Sequence, residues 1–124
     1  PIKSSAASDV YKRQGYMFNK EKMCAYNQEL MDNFETYLSY EPYSPATVKH
    51  YVDDTRMFLK WLWHFNKNKS FTKCTSEDIN NFIKYMRHER GVSYQRLSAM
   101  RRSLRFFCQY VKYIEGDEVN IIFE

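Results

Sequence analysis

The sequence has 124 residues, of which 44% are hydrophobic, 27% charged and 18% aromatic, with a formal net charge of +4. Mean hydropathy is −0.71 and no apolar run approaches the roughly 20 residues of a membrane span, so a soluble single domain is expected. Eleven Tyr and nine Phe are too many for a disordered chain, while three Gly and three Pro exclude turn-rich sandwiches, barrels and collagenous repeats.

Cys24, Cys74 and Cys108 are far apart and odd in number, which fits a reducing compartment and argues against a disulfide framework or a zinc site. His50, His64 and His88 have no Cys or carboxylate partner at ligand spacing, so neither a metal nor a cofactor is expected. No secretory signal opens the chain, and the expected compartment is the cytoplasm.

Pro1 to Gln14 are small, polar and aperiodic, and SAASDVYKRQ resembles a translated adapter sequence. They are read as a non-native or disordered leader, with Met17 or Met23 as the native start. The competing reading is a native arm that carries Lys12 and Arg13 to DNA. Residues 15–25 form a flexible segment, 26–115 the folded domain, and 116–124 the start of a linker.

The domain reads as all-α, with four helices. The first is expected over Tyr26 to Tyr40, with Leu30, Phe34, Tyr37 and Leu38 on one face. Two prolines break the chain, Ser44 caps, and Pro45 opens a second helix that reaches Phe65. Its core stripe is Val48, Tyr51, Val52, Thr55, Phe58, Leu59 and Leu62. Trp61 lies on its polar side, able to pack on a neighbour or on the connector. After the basic, Asn-rich connector 66–73, Thr75 to Asp78 resembles a capping box, with Ile79, Phe82, Ile83 and Met86 buried and Gly91 as the stop. Ser93 caps a fourth helix reaching about Ile114, with Leu97, Met100, Leu104, Phe107, Cys108 and Val111 inward and Gly116 beyond. Phe106, Tyr110 and Tyr113 add a second apolar stripe, which suits packing on the first helix or an outside partner. The one strand-like segment, Val119 to Phe123, is short and terminal.

Charge is segregated along the chain. Lys84 to Lys112 holds eight bases and one acid, whereas Gly15 to Tyr43 holds two bases and five acids. At 100° per residue, Tyr94, Gln95, Ser98, Arg101, Arg102, Arg105, Gln109 and Lys112 share the outer sector of the fourth helix, without an acid. Arg and Lys neutralise phosphates, and Arg, Gln and Ser also reach base edges, so this helix suits a major groove. A solvated face is the bland alternative, but such faces normally interleave both signs. Ser44, Thr47 and free backbone N–H groups make a phosphate seat at the second helix, where Ser44 serves as cap or as ligand. Lys49 stands beside them, with Asp53 available as an intrahelical partner instead. Ser93, at the start of the fourth helix, completes the candidate set.

Tyr43-Ser44-Pro45-x-Thr47-x-x-x-Tyr51, continuing through Met57 to Leu62, resembles the opening of the core-binding domain of tyrosine recombinases (phage integrases). Cys74 to Phe82 and Arg96 to Phe107 are similar to its later helices. The resemblance implies a four-helix SAM-like orthogonal bundle that forms half of a clamp around a core recombination site. It implies double-stranded DNA as partner, other recombinase protomers on that DNA, and a bacterial or phage mobile element as source. In the family the catalytic Arg, Lys, His and Tyr belong to a linked C-terminal domain that these residues do not include, so this chain is expected to bind and not to cut. Asn120 is followed by Ile121 where family members often have Asn-Pro, and no arm-binding domain is visible upstream. The alternative function is a stand-alone helical module that binds protein through the Phe106, Tyr110 and Tyr113 stripe.

Overall fold

A computed structural model describes residues 22–123, so the leader and most of the 15–25 segment lie outside the described residues. Among the described residues there are four α-helices: α1 over Ala25–Ser39, α2 over Pro45–Phe65, α3 over Ser76–His88 and α4 over Tyr94–Tyr110. A 3-10 turn, Phe71–Lys73, interrupts the α2–α3 connection. Among the described residues there is no strand, only one parallel bridge between Thr75 and Asn120. The bundle is all-α, and its boundaries lie within a residue or two of the expected ones at the first three helices.

The helix starts follow from their caps. Ser44 Oγ accepts from the Thr47 N–H at 3.2 Å, with Pro45 in the first helical position where no N–H is needed. Ser93 Oγ accepts from the Arg96 N–H at 3.2 Å, and the Thr75 N–H donates to Asp78 Oδ2 at 2.9 Å. At the far end, α4 is shorter than expected. Its α-turns stop at Tyr110 and widen into a π-turn over Val111–Glu115, before Gly116 at φ 76° ends the element. The Tyr110 hydroxyl donates to the Glu115 carboxylate across that turn.

The core is aromatic. Phe34, Phe58, Phe71, Phe82 and Phe107 are fully buried, and Phe34 meets Phe107 edge-on with centroids 4.9 Å apart. The second stripe of α4 is largely internal as well. Phe106 stacks on Tyr51 at 4.4 Å, and Tyr110 packs on Phe34 at 5.0 Å and on Tyr37 at 5.1 Å. Trp61 turns to α3, edge-on to Phe82 at 5.8 Å.

The connector is part of the core. Phe71 inserts between Phe58 and Phe107, and the periodicity of the flanking helices gave no hint of it. The asparagines explain how a polar connector is held there. Asn27, buried on α1, donates to the Lys69 carbonyl and accepts from the Phe71 N–H, both at 2.9 Å. Asn68, at φ 54°, accepts from the Cys24 N–H at 2.9 Å. The tail docks on the same region: Ile121 is buried, and Ser76 Oγ accepts from the Ile122 N–H at 2.8 Å.

Asp78 closes this connector. Burial alone would push its carboxyl up, but hydrogen bonds from Lys69, the Thr75 N–H and Asn66 outweigh that and hold it below the usual range. A carboxyl depressed in the fold and ordinary in the unfolded chain stabilises fully above about pH 4, and the contribution fades as pH falls through the folded value. Asp78→Asn should therefore melt lower than the parent at pH 7. The gap should narrow as thermal melts are taken down to about pH 3.

Candidate nucleic-acid interface

The rotation of α4 decides which of its side chains meet solvent, and that rotation is set by a buried carboxylate. Asp54 on α2 is 1% exposed. It accepts from Arg96 Nη2 at 2.5 Å, from Arg96 Nη1 at 3.2 Å and from Ser103 Oγ at 2.7 Å. The hydrogen bonds to Asp54 raise the Arg96 guanidinium above its already high range, against the opposing effect of burial. Arg96 is therefore a structural cation. By sequence it belongs to the basic stretch 84–112, and the one signal of its different role is Asp54, an acid beside core positions of α2.

With α4 locked in this way, Tyr94, Gln95, Ser98, Arg101, Arg102 and Arg105 are all exposed on its outer side, as are Gln109 and Lys112. Arg96 is the one cation between Lys84 and Lys112 that forms an ion pair among the described residues. The others make neutral contacts or none. Arg101 donates to Asn80 Oδ1 on α3 at 3.1 Å, which ties the sector to the neighbouring helix. Lys112 stands 5.4 Å from the Tyr113 ring centroid, and Arg102 and Arg105 project without a partner among the described residues.

Lys49 and Arg56 of α2 behave differently. Lys49 Nζ donates to Asp53 at 2.7 Å, and Arg56 meets Glu35 of α1 at 3.2 Å and Asp53 at 3.9 Å. These groups line a cleft between α1 and α2 together with Glu41. The structure thus pairs Lys49 within its own helix and sets it on the α1-facing flank, apart from the α4 sector. Exposed pairs of this kind contribute only about 0.3–0.5 kcal/mol. Tyr43, the residue before Ser44, stands edge-on to Phe106 of α4 with centroids 5.9 Å apart. Ser44 Oγ is engaged as a cap and also lies 2.9 Å from Thr47 Oγ1. Ser93 is engaged as the α4 cap.

Cys74 and Cys108 are buried, which pushes both thiols up to about 12 and leaves them protonated and unreactive. No cluster of His, Cys, Asp and Glu capable of holding a metal occurs among the described residues. No helix among them is long and apolar enough to cross a membrane.

Residues 30–118 match the family model of the phage integrase N-terminal SAM-like domain. The chain belongs to this family. The match spans α1 from Leu30 through the π-turn and includes every candidate residue from Ser44 to Arg105. No curated protein and no solved structure matches the chain. Membership places this SAM-like domain in site-specific recombination, with DNA binding as its general role, and it agrees with the helical bundle observed.

Cutting the Asp54 link tests the SAM-like domain's architecture separately from any ligand. Arg96→Met leaves a buried carboxylate without its main partner and should cost about 2–4 kcal/mol, toward the lower end because Arg96 keeps some solvent. Arg102→Met, at an exposed position without a partner among the described residues, should cost less than about 0.5 kcal/mol. Urea midpoints of the two variants give the comparison.

Proposed function

We propose that this SAM-like domain is the DNA-clamping module of a site-specific tyrosine recombinase, seated on the core recombination site. The outer sector of α4 enters the major groove, where Gln95, Ser98, Arg101, Arg102 and Arg105 reach bases and phosphates. Tyr94 and Ser93 stand at the leading end of that helix. Ser44, Thr47 and the first N–H groups of α2 hold a neighbouring phosphate, with Lys49 able to exchange its exposed carboxylate partner for one. Strand cleavage and rejoining fall to a linked catalytic domain, and further protomers complete the assembly on DNA.

The observation that carries this reading is the absence of any carboxylate partner, among the described residues, for the outward cations of α4. Lys49, Arg56 and Lys69, by contrast, are matched to acids at 2.7–3.9 Å. A row of unmatched cations is suited to a polyanion, since phosphates replace condensed counterions and release them. The protein-binding alternative is favoured less, since Tyr110 is 4% exposed and Phe106 is half-buried against Tyr51, with Tyr113 the fully exposed member of that stripe.

Binding to duplex DNA should weaken linearly in a log–log salt titration, with a slope of about −0.9 for each phosphate neutralised. Arg102→Ala and Arg105→Ala should each weaken binding while leaving the thermal midpoint unchanged. A side chain that touches phosphate alone should shallow the slope by about one unit, and one that reads a base should cost about 1–3 kcal/mol on the cognate site only. Arg56→Ala, whose charge is already matched by Glu35 and Asp53, is the control and should change little. Equal losses from Arg56 and Arg105 would indicate diffuse attraction in place of a defined face. Incubated with supercoiled plasmid, this polypeptide should give neither nicks nor a covalent adduct.

A further inference from the structure

We propose that Arg87 is a positioning residue for the DNA face: it holds the Tyr94 ring so that the tyrosine hydroxyl meets a phosphodiester, and neutralises no phosphate itself. The inference rests on the DNA-binding reading above.

Arg87 lies in the last turn of α3, and Tyr94 is the first residue of α4. The loop between them turns through Gly91 at φ 67°. The Arg87 guanidinium carbon sits 4.0 Å from the Tyr94 ring centroid, while its Nη1 donates to the Val92 carbonyl at 3.1 Å. One planar cation thus braces the loop backbone and caps one face of the ring. An ammonium, as a point charge, does not satisfy both geometries at once. With its charge over the ring and its N–H committed to the loop, Arg87 is engaged inside the protein, in contrast to Arg102 and Arg105.

Tyr94 remains 71% exposed despite the cap, and its hydroxyl has no partner among the described residues. The hydroxyls of Tyr26 and Tyr110 are bonded internally, to Asp117 and to Glu115. Tyr94 is therefore an ordered ring that offers an unused donor, next to Gln95 and Ser98 on the acid-free sector of α4. Ordering that ring before binding removes part of the entropic cost of docking it. A neutral O–H···phosphate contact adds affinity without releasing a counterion, which separates it experimentally from an arginine contact.

The test uses the full chain and a random-sequence duplex, read by fluorescence anisotropy between about 50 and 200 mM salt. Tyr94→Phe keeps the ring and removes the donor, and should weaken binding about five-fold at an unchanged salt slope. Arg87→Ala should weaken it about three- to five-fold, also at an unchanged slope, with Arg87→Lys restoring less than half of the loss. The Arg87→Ala/Tyr94→Phe double variant should be no more than about two-fold weaker than the poorer single variant, since both changes remove one contact. Three results overturn the positioning role while leaving the DNA-binding reading intact: full affinity in Arg87→Ala, losses that multiply in the double variant, or a slope shallower by about 0.9 in Arg87→Ala. No salt-sensitive binding by the unaltered chain overturns both.

Discussion

A carboxylate enclosed as deeply as Asp54 costs several kcal/mol to desolvate unless donors are brought to it. Both of its partners, Arg96 and Ser103, come from α4 and are two helical turns apart. One acid on α2 therefore grips α4 at two levels and fixes its rotation as well as its position. A roll of α4 by one residue, about 100°, would withdraw both donors and leave the charge stranded. Apolar packing alone tolerates such slippage better, because Leu, Met and Phe substitute for one another in a core at modest cost. The outward direction of Arg101, Arg102 and Arg105 is thus a consequence of an interaction on the opposite side of their helix.

The same device appears at the connector. Asn27 and Asp78 are buried polar groups that gather backbone or side-chain donors from a segment with little regular structure. Their partners hold Phe71 between α2 and α4, so the loop becomes a piece of the core. In each case an otherwise costly buried polar group specifies one arrangement among several that hydrophobic burial would accept.

Charge is distributed to match. Lys49 and Arg56 of α2 are paired with Asp53 and with Glu35 of α1, whereas α3 is neutral and α4 carries four arginines and no acid. Cations crowded on one side repel each other only weakly in water at physiological salt, where the screening length is about 8 Å. That weak strain is relieved when a phosphate backbone takes the place of the counterions. A face of this kind costs the folded protein little and gives the recombination domain a defined side toward DNA.

Much of this was legible in the residues themselves. Helix number, order and starts follow from local chemistry: a Ser or Thr cap, Pro45 in the first turn and a 3.6-residue apolar period each act within a few residues of their own position. The family resemblance and the acid-free sector of α4 were readable for the same reason, being patterns along one segment. Tertiary structure alone decided the rest. It took Arg96 out of the binding face to serve Asp54, packed Phe106 on Tyr51, buried Tyr110, and laid Arg87 over Tyr94. Asp54 and Arg96 are 42 residues apart, and nothing local to either marks the other. Caps and periodicity report what a residue does to its own helix, whereas pairing and burial depend on which helix lies against it.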